Sequence, residues 1–322
     1  MNIVPSDINR VAAIMPTPST PDADKWSSRN TINIDEVRKM VPLAHKEEVN
    51  LIMTTGTFGE MASLMKEELI DFVDAVVQEN RQKVPVFAGV TTMNTRETIE
   101  WAKELISKVA IDGLFLGRPF WLPLDDAGIV NYYKDMAEAF PGVPLIVYDN
   151  PIAFKGKIST NAYRELAKIP EIVAAKHTGG PSLIGDVKAV EGKMKILPID
   201  EAWLEPAREL PDEVTACWTG NIASAPDAVS ALGVAIKNRD WERAEYVTER
   251  LHWAQAPQFP DGDLAKFMPY SIQIGHARFK GAGLIDPGPG RPPYAKAPQS
   301  FIDGGLEAGR RLREIQIEFT KK

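Results

Sequence analysis

The chain has almost no cysteine, no excess of positive charge and no apolar run long enough to cross a bilayer. Each shortage excludes something. One cysteine, Cys217, among 322 residues rules out a disulfide framework within the chain and makes the cytosol the expected compartment. It lies in the apolar run Val214-Thr215-Ala216-Cys217-Trp218 and reads as a small core residue. Lys plus Arg number 37 against 44 Asp plus Glu, a net charge of −7, which argues against nucleic-acid or anionic-membrane partners. No stretch supplies the roughly 20 apolar residues of a membrane-spanning helix. Residues Met1 to Asp7 lack the charged-then-apolar pattern of a signal peptide. No Gly-x-Gly-x-x-Gly follows the first apolar run, which weakens a doubly wound dinucleotide-binding sheet.

Short apolar runs alternating with longer amphipathic ones fill most of the chain. With 44% hydrophobic residues, it can bury a substantial core. Strands are expected at Val11–Met15, Leu51–Thr55, Val84–Val90, Gly113–Gly117, Pro144–Tyr148, Ile172–Lys176, Lys195–Ile199 and Val214–Trp218. Most are continuously apolar, as parallel strands covered on both faces are. Helices are expected between them, for example at Lys66–Gln78, where Leu69, Phe72, Val73 and Val76 share a face, and at Thr95–Ser107, opened by the cap Asn94 with Glu97 three residues on. Eight strands alternating with eight helices predict an α/β fold, a (β/α)8 TIM barrel. Residues 1–237 read as the barrel and 238–322 as a C-terminal helical extension packed on it, with helices at Trp241–Ala254 and Leu306–Phe319, a broken helical pattern over Leu264–Gly281, and a Pro/Gly-rich connector between Pro287 and Pro298.

Active residues of such barrels gather at the C-terminal ends of the strands. The sixth run, Ile172-Val173-Ala174-Ala175-Lys176, ends in a cation. A buried amine has a lowered pKa and can attack a carbonyl near neutral pH. The alternative is a solvated lysine at a strand terminus. The fifth run ends in Tyr148, whose phenol can carry a proton or simply bond to backbone. After the second run, Gly56-Thr57-Phe58-Gly59 offers backbone N–H groups and a hydroxyl suited to a carboxylate, or forms an ordinary loop. Taken together, an amine, a phenol and a carboxylate-holding turn on alternate strand ends suit a 2-oxo acid.

Gly56-Thr57-Phe58-Gly59-Glu60, Tyr148-Asp149-Asn150-Pro151 and Val173-Ala174-Ala175-Lys176 resemble the signature of the N-acetylneuraminate lyase / dihydrodipicolinate synthase superfamily. Ile14-Met15-Pro16-Thr17-Pro18-Ser19-Thr20-Pro21-Asp22 and Arg291-Pro292-Pro293-Tyr294 resemble, within it, the hydratase-aldolases of aromatic degradation that act on benzalpyruvates. The resemblance implies that Lys176 forms a Schiff base with the keto group of an aromatic 2-oxo acid and that pyruvate is released, with no metal and no cofactor. It further implies that Tyr148 moves protons, Asn150 positions water or the aldehyde oxygen, and Gly56, Thr57 and Phe58 form the substrate turn. Trp121 and Trp218 would flank the aryl ring, and Ser271 and Gln273, with His276 nearby, would approach the ring substituent from the extension. Related hydroxybenzylidenepyruvate enzymes tend to carry Asn at the Ser271 position, and the smaller serine favours a ring carboxylate. A homotetramer is implied by the resemblance alone.

Three departures matter. Phe58 stands where related synthases and sialate lyases carry Ser or Thr, Phe120-Trp121 replaces a pair of aromatic hydroxyls, and Pro151-Ile152-Ala153-Phe154 supplies no arginine for a second carboxylate. The tyrosine relay of the family is thus not transferable unchanged. Phe58, Phe120, Trp121, Phe154 and Trp218 together suggest a pocket for a flat aromatic group. The competing readings are an aldolase or dehydratase for 2-keto-3-deoxy sugar acids, whose pocket should be rich in hydroxyl-binding side chains, and a non-catalytic binding barrel, which has no need for both Lys176 and Tyr148.

Overall fold

The computed structural model describes residues 3–320. Eight parallel strands form one sheet: β1 (Val11–Ile14), β2 (Val49–Met53), β3 (Val86–Gly89), β4 (Gly113–Leu116), β5 (Leu145–Tyr148), β6 (Ile172–Lys176), β7 (Lys195–Leu197) and β8 (Cys217–Thr219). Their spatial order is β7-β6-β5-β4-β3-β2-β1-β8, and a parallel bridge between Ile199 and Trp218 brings the two ends together as a barrel. Every residue of β1, β3, β4, β5, β6 and β8 is buried, as continuous apolar runs require when helices cover one face and the barrel interior the other.

The helices α1 (Ile34–Met40), α2 (Lys66–Asn80), α3 (Thr95–Lys108), α4 (Asp126–Ala139), α5 (Thr160–Leu166), α6 (Leu183–Ala189), α7 (Leu204–Glu209) and α8 (Pro226–Lys237) follow the strands in turn. Local chemistry sets their starts. Asn94 accepts from the Glu97 N–H at 2.9 Å, Asp125 from Gly128 at 2.8 Å and Ser159 from Ala162 at 3.0 Å, each satisfying a first-turn donor that the helix leaves unpaired. The first helix ends at Met40: at Pro42 the chain passes into a 3-10 turn over Val41–Ala44, since proline lacks the N–H an α-helix would use.

Two apolar clusters divide the core. One fills the space between strands and helices, with Val37, Phe72, Val76, Leu105, Tyr133 and Leu232 among its members. The other fills the barrel interior with Ile14, Met53, Phe87, Phe115, Ile146, Tyr148 and Trp218. Alternation along a strand places Lys176 on the same side as Ala174, Tyr148 on that of Ile146, and Trp218 on that of Ala216, all three inward. Register then sets neighbours: Tyr148 lies opposite Lys176 across the β5–β6 ladder.

Beyond the barrel come α9 (Trp241–Gln255), α10 (Leu264–Phe267), α11 (Ser271–Ala282) and α12 (Gln299–Thr320). The break between α10 and α11 falls at Met268-Pro269-Tyr270. The final helix starts seven residues before the expected Leu306, because Gly304, Gly305 and Gly309 lie inside it. Gly305 and Gly309 carry no Cβ where the Ile274 and Arg278 carbonyls of α11 come within 2.6 and 2.1 Å of the position one would take. Glycine disguised the helix in the sequence and permits its close packing here.

Candidate active site

The C-terminal strand ends enclose a two-lobed cavity. The larger lobe holds about 430 Å³ and is lined by Lys176, Trp218, Phe58, Glu201, Phe259, Phe267 and Met268 among others. The smaller holds about 290 Å³, with Gly56, Phe120, Phe154, Met61 and Tyr294 on its walls. Thr57, Tyr148, Asn150 and Ser271 face both. A wider groove of about 630 Å³ lies on the outer surface against α1 and α2, lined by Arg38, Asp71, Asp74 and Gln78, away from these strand ends.

Lys176 is 5% exposed. Its Nζ lies 3.7 Å from the centroid of the Trp218 ring and 4.8 Å from that of Tyr148. Burial drives its pKa down to about 7, against the Asp149 carboxylate, which acts to hold the proton on. Desolvation therefore outweighs both the nearby charge and the two ring faces that favour an ammonium. An amine in this state is about half unprotonated at neutral pH.

Opposite it, Thr57, Tyr148 and Asn150 form a closed hydrogen-bonded triad. The Tyr148 phenol oxygen accepts from the Thr57 N–H at 3.3 Å and from Asn150 Nδ2 at 3.2 Å, and shares a short hydrogen bond with the Thr57 hydroxyl. Asn150 Nδ2 also donates to Thr57 Oγ1 at 3.1 Å, and its Oδ1 accepts from the Ala153 N–H at 3.1 Å, which fixes the amide orientation. Burial raises the Tyr148 pKa, opposed by the donors from Asn150 and Thr57, so the phenol stays protonated at neutral pH and can donate. Its ring stacks on Phe115 at 4.7 Å and meets Phe154 edge-on at 5.2 Å.

Buried pairs beneath the site hold the strand ends. Arg118 meets Asp149 at 3.0 Å, and the Tyr163 hydroxyl donates to the same carboxylate at 3.2 Å. His177 Nδ1 accepts from Gly179 N–H at 2.9 Å, which leaves Nε2–H to face Asp186 at 3.1 Å. The His177 carbonyl accepts from Trp218 Nε1 at 2.8 Å, locking the indole against Lys176.

The substrate turn is held from the extension. Gly59 admits no side chain: a Cβ there would lie 2.6 Å from Thr55 Cα. The next residue, Glu60, is fully buried with φ +52°. One carboxylate oxygen lies 2.7 Å from Arg291 Nη1 and 3.0 Å from His276 Nε2, and the other accepts from the Arg291 N–H at 2.8 Å. Burial acts to raise the Glu60 pKa, but the contact with His276 and the charges of His276 and Arg291 outweigh it and hold it low. A carboxylate in the turn thus ties it to residues more than two hundred positions away.

Most of the residues expected at the site meet there. Lys176, Tyr148, Asn150, Gly56, Thr57, Phe58, Trp218 and Ser271 all line the cavity. Two do not. Trp121 is 68% exposed, with its carbonyl accepting from Lys155 Nζ at 2.7 Å, because the loop after β4 turns its side chain outward. Gln273 is buried in α11 and donates to the Lys296 carbonyl at 2.9 Å, on the helix side away from the cavity. Trp218 has one face covered by the Lys176 amine, so it packs against the reacting centre as well as any ring beyond it. Sequence reasoning missed Asn221, Gln255, Glu201 and Arg278 on the larger lobe. Asp200-Glu201 was visible as the end of the seventh run, and Arg278 lies seven residues after Ser271, on the same helix face. Among the described residues there is no cluster of His, Cys, Asp and Glu arranged to hold a metal ion, and no helix long and apolar enough to cross a membrane.

Residues 11–254 match the model of the dihydrodipicolinate synthetase family. The chain is 44% identical to a trans-2'-carboxybenzalpyruvate hydratase-aldolase of Nocardioides sp. strain KP7, over 99% of this chain and 97% of that one. It is 36% identical to a trans-O-hydroxybenzylidenepyruvate hydratase-aldolase of Pseudomonas putida, over 98% and 96%. Among solved structures, PhdJ bound to a substrate intermediate superposes with a TM-score of 0.97 at 45% identity, covering 99% of both chains.

Proposed function

The chain belongs to the dihydrodipicolinate synthetase family, and from that premise we propose that it is a carbon–carbon lyase, a hydratase-aldolase that converts trans-2'-carboxybenzalpyruvate and water to 2-carboxybenzaldehyde and pyruvate through a Schiff base on Lys176. The observation that carries the reading is the Lys176 amine: buried, lowered to about 7, and facing a phenol–hydroxyl–amide triad across an aromatic-walled cavity. The relatives at 44% and 36% identity act on ortho-substituted aryl pyruvates, and the higher identity supports the carboxylated one.

The Lys176 amine attacks the C2 keto carbon, and loss of water gives an iminium conjugated with the C3=C4 alkene. The iminium draws electrons from C4, so water adds there; a proton leaves the water and C3 takes one up. The C4 hydroxyl then loses its proton, the C3–C4 bond breaks, and its electron pair passes into the iminium as an enamine while the aldehyde departs. Protonation at C3 and hydrolysis release pyruvate and the free amine. Tyr148, with its proton retained at neutral pH and shared with Thr57, is the group placed to move protons at C2. Thr57 and its backbone N–H meet the pyruvyl carboxylate, and Asn150 holds the triad in place. Phe58, Trp218, Phe259 and Phe267 give the aryl group an apolar lobe. Such walls suit a flat ring better than a polyhydroxylated sugar acid.

Borohydride added with pyruvate should leave a covalent adduct on Lys176, and the ultraviolet absorbance of the aryl enone should decay with enzyme present. Persistence of that absorbance would remove the hydratase-aldolase reading even if the adduct forms. We also propose a role in breakdown of polycyclic aromatics such as phenanthrene or naphthalene, a cytoplasmic setting and a homotetrameric assembly. The exposed Trp121, Leu122 and Ile152 support a subunit contact near the cavity mouth, and light scattering tests it.

A further inference from the structure

One end of the larger lobe is polar and is not used by the chemistry above. Glu201 is half-buried there and lines the cavity, with Asn221, Gln255 and Arg278 beside it. Behind it, Asp200 is fully buried and accepts three hydrogen bonds: from the Thr219 hydroxyl at 2.6 Å, Asn221 Nδ2 at 2.9 Å and the Glu201 N–H at 3.0 Å. Burial raises the Asp200 pKa, opposed by these three donors and by the charge of Arg278. Arg278, also buried, donates to the Asn221 Oδ1 at 2.8 Å and the Gly220 carbonyl at 3.0 Å. Arg278 Nε and Gln255 Nε2 are buried donors with no hydrogen-bond partner among the described residues. This end of the lobe therefore carries a guanidinium, spare donors and one carboxyl facing open space.

Burial, and then the charge of Asp200, push Glu201 up to about 8, opposed by Arg278, Gln255 and Asn221. Glu201 therefore keeps its proton at neutral pH. A neutral carboxylic acid can donate an O–H to an anion that an ionised one would repel. Burial lowers Arg278 only to about 10, helped back by Glu201 and Asp200, so it stays cationic and favours a negative ligand. Ser271 and Arg278 lie two turns apart on one face of α11, with Gly275 between them giving room for Phe58. Phe58, Trp218, Ser271 and Glu201 all line this lobe, so a ring held there has both side chains on its walls.

We propose that Glu201 is the specificity-determining residue for the ring substituent, donating a hydrogen bond to an ortho carboxylate of the aryl pyruvate at the polar end of the larger lobe. The inference rests on the hydratase-aldolase reading. The titratable groups around it are Asp200 on its own turn, Arg278 on α11, His252 of α9, whose Nε2 lies 3.0 Å from the Glu201 carbonyl oxygen, and Lys176 across the lobe. Protonated Glu201 is present below about 8 and lost as pH rises through it, so acceptance of the carboxylate falls with rising pH.

The test is the ratio of kcat/KM for trans-2'-carboxybenzalpyruvate to that for trans-o-hydroxybenzylidenepyruvate, measured from pH 6 to 9 on the full chain. Effects of Lys176 and Tyr148 act on both substrates and cancel. The wild-type ratio should drop about tenfold between pH 7 and 9, following one ionisation. Glu201→Gln keeps a donor but cannot ionise, so its ratio should stay flat with pH. Glu201→Ala removes the donor and should lower the ratio at pH 7 at least tenfold, with circular dichroism and borohydride trapping of pyruvate on Lys176 showing that the variant folds. A wild-type ratio independent of pH, or a Glu201→Gln profile that keeps the wild-type slope, overturns the proposal. Wild-type enzyme inert to both compounds would instead overturn the lyase reading, and this inference with it.

Discussion

Replacing Tyr148 with Phe removes one oxygen from the site and leaves the ring packing on Phe115 and Phe154 in place. The Thr57 N–H loses its acceptor, while Asn150 Nδ2 keeps Thr57 Oγ1 at 3.1 Å. Two donors lose the phenol oxygen, the Thr57 N–H and one Asn150 Nδ2–H, at a cost of about 1–3 kcal/mol each where water cannot replace it. The larger effect falls on chemistry. Positioned acid–base catalysis contributes about 10²–10⁴-fold, equal to roughly 3–5 kcal/mol of barrier, and imine formation and imine hydrolysis both need a proton moved at C2. Turnover of the aryl enone, followed by its ultraviolet absorbance, should therefore fall by about 10²-fold or more. Borohydride trapping of pyruvate on Lys176 should still occur, only more slowly, because the amine and its pKa-lowering surroundings remain. Circular dichroism should be unchanged. A kcat within threefold of wild type, with trapping at the wild-type rate, would refute the assignment of Tyr148 as the proton-moving group.

Lys176→Ala should abolish both trapping and turnover, read by mass spectrometry and absorbance. In the wild type, the rate of pyruvate trapping should rise with pH through a midpoint of about 7, since only the unprotonated amine attacks; a midpoint near 10 would mean that the amine is solvated. Thr57→Val removes a hydroxyl that bonds both Tyr148 and Asn150 and should raise KM and lower kcat together, by about tenfold or more in kcat/KM. Glu60→Gln leaves Arg291 and His276 buried with reduced compensation, at a cost of about 3–5 kcal/mol; a fall in Tm of about 5 °C or more, with weaker pyruvate binding, is expected by calorimetry.

The barrel was legible because its strands are buried on both faces. Runs such as Ile172–Ala175 and Leu145–Val147 are apolar throughout and carry their one functional side chain at the end. The inward direction of Lys176 and Tyr148 follows from strand alternation once the barrel is granted. Less was legible where the site depends on the extension. Phe259, Phe267, Met268 and Arg278 reach the cavity from a segment whose helices are interrupted at Pro260 and Pro269, and no local pattern says where that segment lies. Glu60 and Arg291 are 231 residues apart, so their pairing has no local signal. Trp121 failed for a different reason: its position in sequence at a strand end says nothing about which way a loop turns its side chain.

In the proposed reaction a carbonyl carbon of the substrate becomes bonded to Lys176 during cleavage. Incubation with trans-2'-carboxybenzalpyruvate, quenching with borohydride during turnover and peptide mass mapping test it most directly. A reduced pyruvyl adduct is expected on the peptide carrying Lys176, with 2-carboxybenzaldehyde released in step with enone loss. Release of the aldehyde with Lys176 unmodified, or with the adduct on another lysine, would contradict it.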